Sequence, residues 1–146
     1  MSGRNEVELE VAPELTPEME AVIGGGLADY NRSRTGYVDG RDLAVVLRRT
    51  GTGDILGGLL GRTTLGLFFI DLVYLPEEAR GWGVGTRMLG MAEVEAVGRG
   101  CTAAVLFTIT FQAPEFYRHH GYVELGRVEV APPGATRVCM TKRLVG

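Results

Sequence analysis

Several features that would assign the chain to large classes of protein are scarce or missing. It has two cysteines, Cys101 and Cys139, which lie far apart in apolar runs, so we interpret them as buried thiols. Together with two histidines they show no zinc-ligand spacing, and we expect no metal. No apolar run approaches the roughly 20 residues that cross a bilayer, and no apolar signal region follows the polar N-terminus. We therefore expect a cytoplasmic protein that binds no membrane.

An excess of positive charge is also missing. The formal net charge is −3, and the basic residues are scattered apart from the pairs Arg48-Arg49 and Lys142-Arg143. Because proteins that bind nucleic acids usually present a basic face, we expect no nucleic-acid partner. The 146 residues, 45% of them hydrophobic, can build one real core. We expect a single domain over residues 1–146.

Hydrophobic periodicity and turn residues predict an alternation of strands and helices. The predicted strands cover residues 6–11, 42–49, 55–62, 65–75, 101–111, 122–130 and 137–144. The predicted helices begin at Pro17, cover residues 84–97 and begin again at Pro114, and we expect a loop over residues 31–40. Residues 65–75 are apolar enough to predict a strand buried on both faces.

The order of these elements predicts an α/β protein with a mixed sheet. Residues 65–111 form a strand-helix-strand unit, which should give a parallel pair with a right-handed crossover. The hairpin before it must be antiparallel. We expect a central mixed sheet of six or seven strands, flanked by about three or four helices.

A glycine-rich turn, Arg80-Gly81-Trp82-Gly83-Val84-Gly85, separates a predicted strand from a predicted helix. Unpaired N–H groups at a helix N-terminus can hold phosphate oxygens, and glycines let the backbone approach the anion. The dinucleotide-binding motif does not match, because Thr86 stands where its third glycine belongs. The P-loop motif does not match either, because it needs Gly-Lys-Ser/Thr and this chain has Gly85-Thr86-Arg87. The turn therefore predicts another kind of pyrophosphate site, and a purely structural turn is the alternative.

A second motif follows the next predicted strand. The pattern Ala-x-x-Phe-Tyr-x-x-x-Gly-Phe/Tyr is matched by Ala113, Phe116, Tyr117, Gly121 and Tyr122. The earlier turn matches the pattern Arg/Gln-x-x-Gly-x-Gly/Ala at Arg80, Gly83 and Gly85. With these two motifs in this order, the chain resembles the GNAT superfamily of N-acetyltransferases, in particular its small bacterial single-domain members. The resemblance implies the GNAT acyl-CoA N-acyltransferase fold. It also implies transfer of an acetyl group from acetyl-CoA, the cosubstrate, to a primary amine of a small molecule.

The resemblance also implies which residues bind acetyl-CoA. The glycine-rich turn would hold the diphosphate. A bulge in the strand over residues 65–75 would expose backbone N–H groups to pantetheine and to the thioester carbonyl. Gln112 would bond the pantetheine amides, with capping of the short helix as the alternative. The implied donor-binding residues are Leu72, Val73, Arg80, Gly81, Trp82, Gly83, Val84, Gly85, Thr86 and Gln112.

Two residues are the main candidates for proton transfer. In the superfamily the tyrosine that matches Tyr117 often protonates the departing thiolate, and a packed aromatic ring is the alternative. Asp71 is the only charged residue in 65–75 and is a candidate base for the amine, unless it faces solvent or bonds to the backbone. His119 and His120 are weaker candidates for that base. Tyr30 and Asn31 are candidates for the acceptor side, with a helix end and a core tyrosine as the alternative.

Other functions stay open at this point. A GNAT fold that binds acyl-CoA without catalysis could regulate a partner. The same slot could serve a longer acyl chain, or acetylate a protein lysine or N-terminus. Dimerisation is common in the family, so a homodimer is also open, although the sequence reveals no interface.

Overall fold

The computed structural model describes residues 6–110 and 112–146. The N-terminal residues 1–5, on which the expected absence of a signal region partly depends, lie outside the described residues. So does Phe111, the last residue of the strand predicted over 101–111. The chain divides into two compact units, the first ending at Val38 and the second covering Asp39–Gly146.

The described part of the first unit contains one α-helix, α1 (Pro17–Thr35), whose ends are fixed by capping residues. Thr16 accepts a hydrogen bond from the Met19 N–H at 3.2 Å, and Pro17 occupies the first turn. Gly36, at φ 85°, ends the helix in a left-handed conformation. The loop predicted over residues 31–40 is therefore wrong up to Thr35, because the glycine that stops the helix stands at 36.

The strand predicted over residues 6–11 is also wrong. Residues 7–11 carry no regular secondary structure. Alternating Glu and aliphatic residues indicate a chain with one polar and one apolar side. A strand additionally needs a neighbouring strand to receive its backbone hydrogen bonds, which the local pattern does not specify.

The second unit is built on a six-stranded mixed sheet, which confirms the predicted fold class. Its strands are β1 (Arg41–Arg48), β2 (Ile55–Thr64), β3 (Leu67–Tyr74), β4 (Ala103–Ile109), β5 (Val123–Glu129) and β6 (Thr136–Arg143). Two helices belong to this unit, α2 (Val84–Gly98) and α3 (Pro114–His119). The spatial order is β1-β2-β3-β4-β6-β5. Among these six strands, as far as the described residues go, only β3 and β4 pair in parallel, and α2 connects them, as the sequence predicts.

The strand predicted over residues 65–75 is shorter than expected. Leu65 and Gly66 both have positive φ angles, 47° and 83°, and form the turn between β2 and β3. Within β3, Phe68 and Ile70 are buried, whereas Asp71 and Leu72 are exposed. Burial on both faces is therefore wrong, because the core takes only alternate side chains of this strand.

One face of the sheet packs against α2 to form the core of the second unit. The buried residues of α2 are Met88, Leu89, Ala92 and Ala96. They join a cluster of sheet residues that includes Leu59, Phe68 and Val138, each fully buried. Burying such a side chain contributes roughly 1.5–3 kcal/mol, so this contact fixes α2 on the sheet. Its N-terminus follows β3 after a short 3-10 turn at Glu77–Ala79.

Neither cysteine is in a disulfide. In the described part of the chain, no helix combines the length and the apolar character needed to span a bilayer.

Candidate active site

The site begins with an irregularity in β3. Leu72 pairs with Leu60 and Ile70 pairs with Gly61, so Asp71 is an extra residue on β3 and forms a β-bulge. The parallel pairing of β3 with β4 covers Leu67–Ile70 and stops just before the bulge at Asp71. Beyond the bulge the two strands are no longer paired, which opens a slot between their carboxyl ends.

A cleft of about 710 Å³ occupies this opening. One side is formed by the end of β3, including Val73, and the other by Thr108 in β4 and Gln112 after it. The glycine-rich turn and α3 complete the walls. Nine of the residues expected to bind the donor or to catalyse line the cleft: Val73, Arg80, Gly81, Gly83, Val84, Gly85, Thr86, Gln112 and Tyr117.

The glycine-rich turn places the N-terminus of α2 at this cleft. Gly81 and Gly83 have φ angles of 83° and 74°, which other residues rarely adopt, and Gly83 is the N-cap. The backbone N–H of Arg87 donates to the Gly83 carbonyl at 3.0 Å. The N–H groups of residues 84–86 precede this bond and have no partner within the helix. The first turn of α2 carries no acidic residue, so it can accept an anion.

Arg80 closes the same turn with its side chain. Its Nε donates to the Leu75 carbonyl at 3.1 Å, and the residue lines the cleft. This bond uses one of the five N–H donors of a guanidinium group and fixes the orientation of the rest. Trp82, at the tip of the turn, is 80% exposed and does not line the cleft.

Tyr117 lies on α3 and is only 7% exposed. Its ring makes edge-to-face contacts with Phe116 and Tyr122, at centroid distances of 5.2 and 5.8 Å. Burial raises the pKa of Tyr117 above the ordinary value for a phenol. The hydroxyl therefore stays protonated at neutral pH and can act as an acid.

Gln112 anchors the end of β4. Its Oε1 accepts hydrogen bonds from the Ile109 N–H at 3.2 Å and from the Thr108 hydroxyl at 3.4 Å. The N-cap of α3 is Ala113, which makes no side-chain cap bond. The alternative in which Gln112 caps the short helix is therefore wrong, because its side chain turns back to the strand.

Asp71 is not brought into the cleft. Its carboxylate lies 3.3 Å from Arg62 Nη1, and Arg62 also stacks on the Phe69 ring at 4.2 Å. Both charged side chains are about half exposed, and Asp71 is absent from the cleft lining. Leu72, which is 64% exposed, does not line the cleft either. The role of Asp71 as the base stays a prediction.

Tyr30 and Asn31 lie near the end of α1, in the first unit. Their backbone carbonyls accept hydrogen bonds from the hydroxyls of Ser33 and Thr35, at 2.6 and 2.9 Å. Their role on the acceptor side stays a prediction.

Sequence reasoning missed Leu75 and Thr108, which both line the cleft. A usable signal was present, because both stand at or near the carboxyl end of a strand beside the crossover, where open α/β sheets place ligands. It also missed a contact between Thr86 and His120, whose Oγ1 and Nε2 atoms are 3.1 Å apart.

Comparison with known proteins agrees with this geometry. The sequence model described as the acetyltransferase (GNAT) family matches residues 10–122. The chain belongs to this family. An acetyltransferase of Agrobacterium fabrum is 34% identical over 126 residues, which cover 86% of this chain and 91% of the relative. The blasticidin-S acetyltransferase of Streptomyces morookaense is 36% identical over 93 residues, 63% of this chain and 68% of that enzyme.

Solved acetyltransferases share the GNAT fold of this chain. One from Agrobacterium tumefaciens superposes with a TM-score of 0.84 at 31% identity, covering 94% of this chain and 99% of the other. A second, from Bacillus cereus, gives 0.74 at 30% identity, with 92% and 97% covered. The protein is therefore an acetyl-CoA-dependent acyltransferase. Among residues 6–110 and 112–146, no cluster of histidine, cysteine or carboxylate side chains could hold a metal ion.

Proposed function

We propose that this GNAT acetyltransferase moves the acetyl group of acetyl-CoA directly to a primary amine of a small molecule. The observation that carries the proposal is a continuous cleft that joins the N-terminus of α2 to Tyr117 through the gap between β3 and β4. Its two ends offer donors for a diphosphate and an acid for a leaving thiolate. The gap between the strands fits an extended chain such as pantetheine.

In this proposal the diphosphate lies on the N–H groups of residues 84–86, with Arg80 beside it. Pantetheine runs along the end of β3, where Val73 lines the cleft and Leu72 does not, so the Val73 backbone N–H is the favoured partner. Because Oε1 of Gln112 is already bonded to the strand end, its NH₂ group is the part that would donate to a pantetheine carbonyl. Trp82, exposed at the tip of the turn, would contact only the outer part of CoA.

The reaction requires no acyl-enzyme. The amine nitrogen attacks the thioester carbonyl, a C–N bond forms, and the tetrahedral intermediate then breaks its C–S bond. Tyr117 donates its proton to the leaving thiolate and regains one through water from the nitrogen, which gives up its extra proton as the amide forms. Neither cysteine lines the cleft, so neither is placed as a nucleophile. The amine must lose a proton first, and Asp71 would have to accept it through water because it lies outside the cleft lining.

A small-molecule acceptor is supported by the relatives. The name of the blasticidin-S acetyltransferase states a small-molecule substrate, and that enzyme shares 36% identity with this chain. The free thiols of Cys101 and Cys139 agree with the proposed cytoplasmic location, where cysteines stay reduced. Acetylation of a protein lysine or N-terminus, and regulation of a partner without catalysis, are the competing functions.

Thiol release from acetyl-CoA across a panel of acceptors tests the proposal. The panel contains blasticidin S, polyamines, amino-acid amides and a lysine-containing peptide. We expect release with at least one small amine, and a loss of roughly 10²–10⁴-fold in Tyr117→Phe. Release with the peptide alone would overturn the small-molecule acceptor. No release with any acceptor, despite tight CoA binding in calorimetry, would favour the regulatory function.

A further inference from the structure

His120 lies directly behind the turn that is proposed to hold the diphosphate. It follows α3 as the C-cap residue, and its Nε2 is 3.1 Å from Oγ1 of Thr86. Thr86 is the third residue of α2 and lines the cleft, whereas His120 does not. The histidine is half-buried and therefore contacts the donor site through the threonine rather than directly.

A second contact holds the same two segments together. Phe116 and His120 are one helical turn apart, and their rings are 4.7 Å apart at the centroids. The Phe116 ring also packs against Gly85, where a Cβ would come within 3.2 Å of it. Two neighbouring residues of α2, Gly85 and Thr86, thus contact Phe116 in α3 and His120 at its C-cap. This packing restricts the imidazole and keeps its Nε2 close to the threonine hydroxyl.

The chemistry of a diphosphate decides which of Thr86 and His120 donates the hydrogen bond between them. A diphosphate oxygen only accepts hydrogen bonds, so the Thr86 hydroxyl can contact it favourably only by donating its proton. The Oγ1 lone pairs then face His120, which must carry hydrogen on Nε2 and donate to them. In the opposite arrangement, Thr86 donates to His120 and turns lone pairs toward the anion. A donor at residue 120 therefore turns the threonine hydroxyl toward a phosphate.

We propose that His120 is a positioning residue for the donor, which orients the Thr86 hydroxyl toward the diphosphate of acetyl-CoA. This inference rests on the proposed placement of the diphosphate at the α2 N-terminus. It gives His120 a role in donor affinity and not in the chemistry at the thioester. The role depends on a hydrogen-bond donor at the end of the side chain, rather than on a base.

Calorimetry with CoA on four variants tests this role. His120→Leu and Thr86→Val remove the bond while nearly keeping the side-chain volumes, and each should raise the Kd about 5- to 30-fold. His120→Gln and Thr86→Ser keep a polar atom near the same place and should restore most of the affinity. The double variant Thr86→Val/His120→Leu should bind about as weakly as either single variant, because both remove one shared interaction. Full additivity would overturn the proposal.

Transfer assays separate donor affinity from the placement of Tyr117. S-acetylpantetheine carries the same thioester but no diphosphate, so His120→Leu should leave its kcat/KM unchanged. With acetyl-CoA the same variant should raise KM and keep kcat. An equal loss of kcat with both donors, or an unchanged Kd for CoA, would overturn the role of His120. If the wild-type protein itself fails to bind CoA, the proposed function fails instead.

Discussion

Gly85 and Phe116 bring the two sequence motifs into direct contact. A Cβ at Gly85 would lie 3.2 Å from Cε1 of Phe116 and 3.3 Å from Cδ1 of Leu75, closer than most side chains approach. The absence of a side chain at Gly85 therefore lets the first turn of α2 lie against α3. The position of the anion-binding turn relative to Tyr117 depends on this contact, because both segments line the same cleft.

Gly85→Val should weaken CoA binding by about 10- to 100-fold, since a branched side chain would push α2 away from Phe116. Gly90→Val is the matched control, because Gly90 lies in the same helix and a Cβ there meets nothing within 4 Å. Calorimetry with CoA compares the two variants. Equal losses in both would show that helix propensity, rather than the contact with Phe116, is responsible.

The local parts of this site are predictable from sequence. The glycines at 81, 83 and 85 are close in the chain, and the spacing of apolar residues after them predicts the helix that became α2. The bulge is different, because it arises from the register between β3 and β2, in which Ile70 and Leu72 pair with neighbouring residues and Asp71 is left over. The contact between Thr86 and His120 joins residues 34 positions apart, and the insertion of β6 between β4 and β5 likewise depends on tertiary packing.

Tyr117→Phe should lower kcat by roughly 10²–10⁴-fold and leave CoA binding intact, because it removes the acidic proton and keeps the ring. The pH profile gives a second readout. Because burial raises the pKa of Tyr117, the protonated and active form persists above the ordinary phenol pKa of about 10. We expect kcat of the wild type to show no decline up to about pH 10. A decline near neutral pH would exclude Tyr117 as the acid.

Glu93 is hydrogen-bonded to two residues, one of which, Tyr122, packs against Tyr117. It accepts a hydrogen bond from the Tyr122 hydroxyl at 2.7 Å and one from Lys142 Nζ at 2.9 Å. Glu93→Leu should cost about 1–3 kcal/mol of unfolding free energy, because the buried phenol loses its acceptor. Tyr122→Phe should cost less, since Glu93 keeps Lys142. Urea denaturation measures both, and a larger loss in Tyr122→Phe would contradict this account.

The same group of residues should make the protein sensitive to alkaline pH. Burial, followed by the hydrogen bond to Glu93, raises the pKa of Tyr122, and burial raises that of Tyr117. Both phenols ionise more easily in the unfolded chain, so the stability they contribute is full below about pH 10 and falls above it. Urea midpoints measured from pH 8 to pH 11 should drop at the upper end. Tyr122→Phe should reduce that drop.

The bulge in β3 depends on the glycine opposite it. A Cβ at Gly61 would collide with the Phe69 carbonyl oxygen and lie 2.9 Å from Cε1 of Phe68. Gly61→Ala should therefore shift the register beside Asp71, costing about 1–3 kcal/mol of unfolding free energy and weakening CoA binding. Gly126→Ala in β5, where a Cβ meets nothing within 4 Å, is the control for both measurements. Unchanged CoA affinity in a destabilised Gly61→Ala would separate the bulge from donor binding.

The ion pair of Asp71 with Arg62 allows a test of the predicted base. Both side chains are about half exposed, so breaking the pair should change the unfolding free energy by no more than about 1 kcal/mol. If Asp71 accepts the proton of the amine through water, Asp71→Asn should lower kcat at least about 10-fold. Arg62→Met removes the partner and keeps the carboxylate, so its kcat should stay close to that of the wild type. Small and equal effects in both variants would instead show that Asp71 is a solvent-facing residue of the bulge.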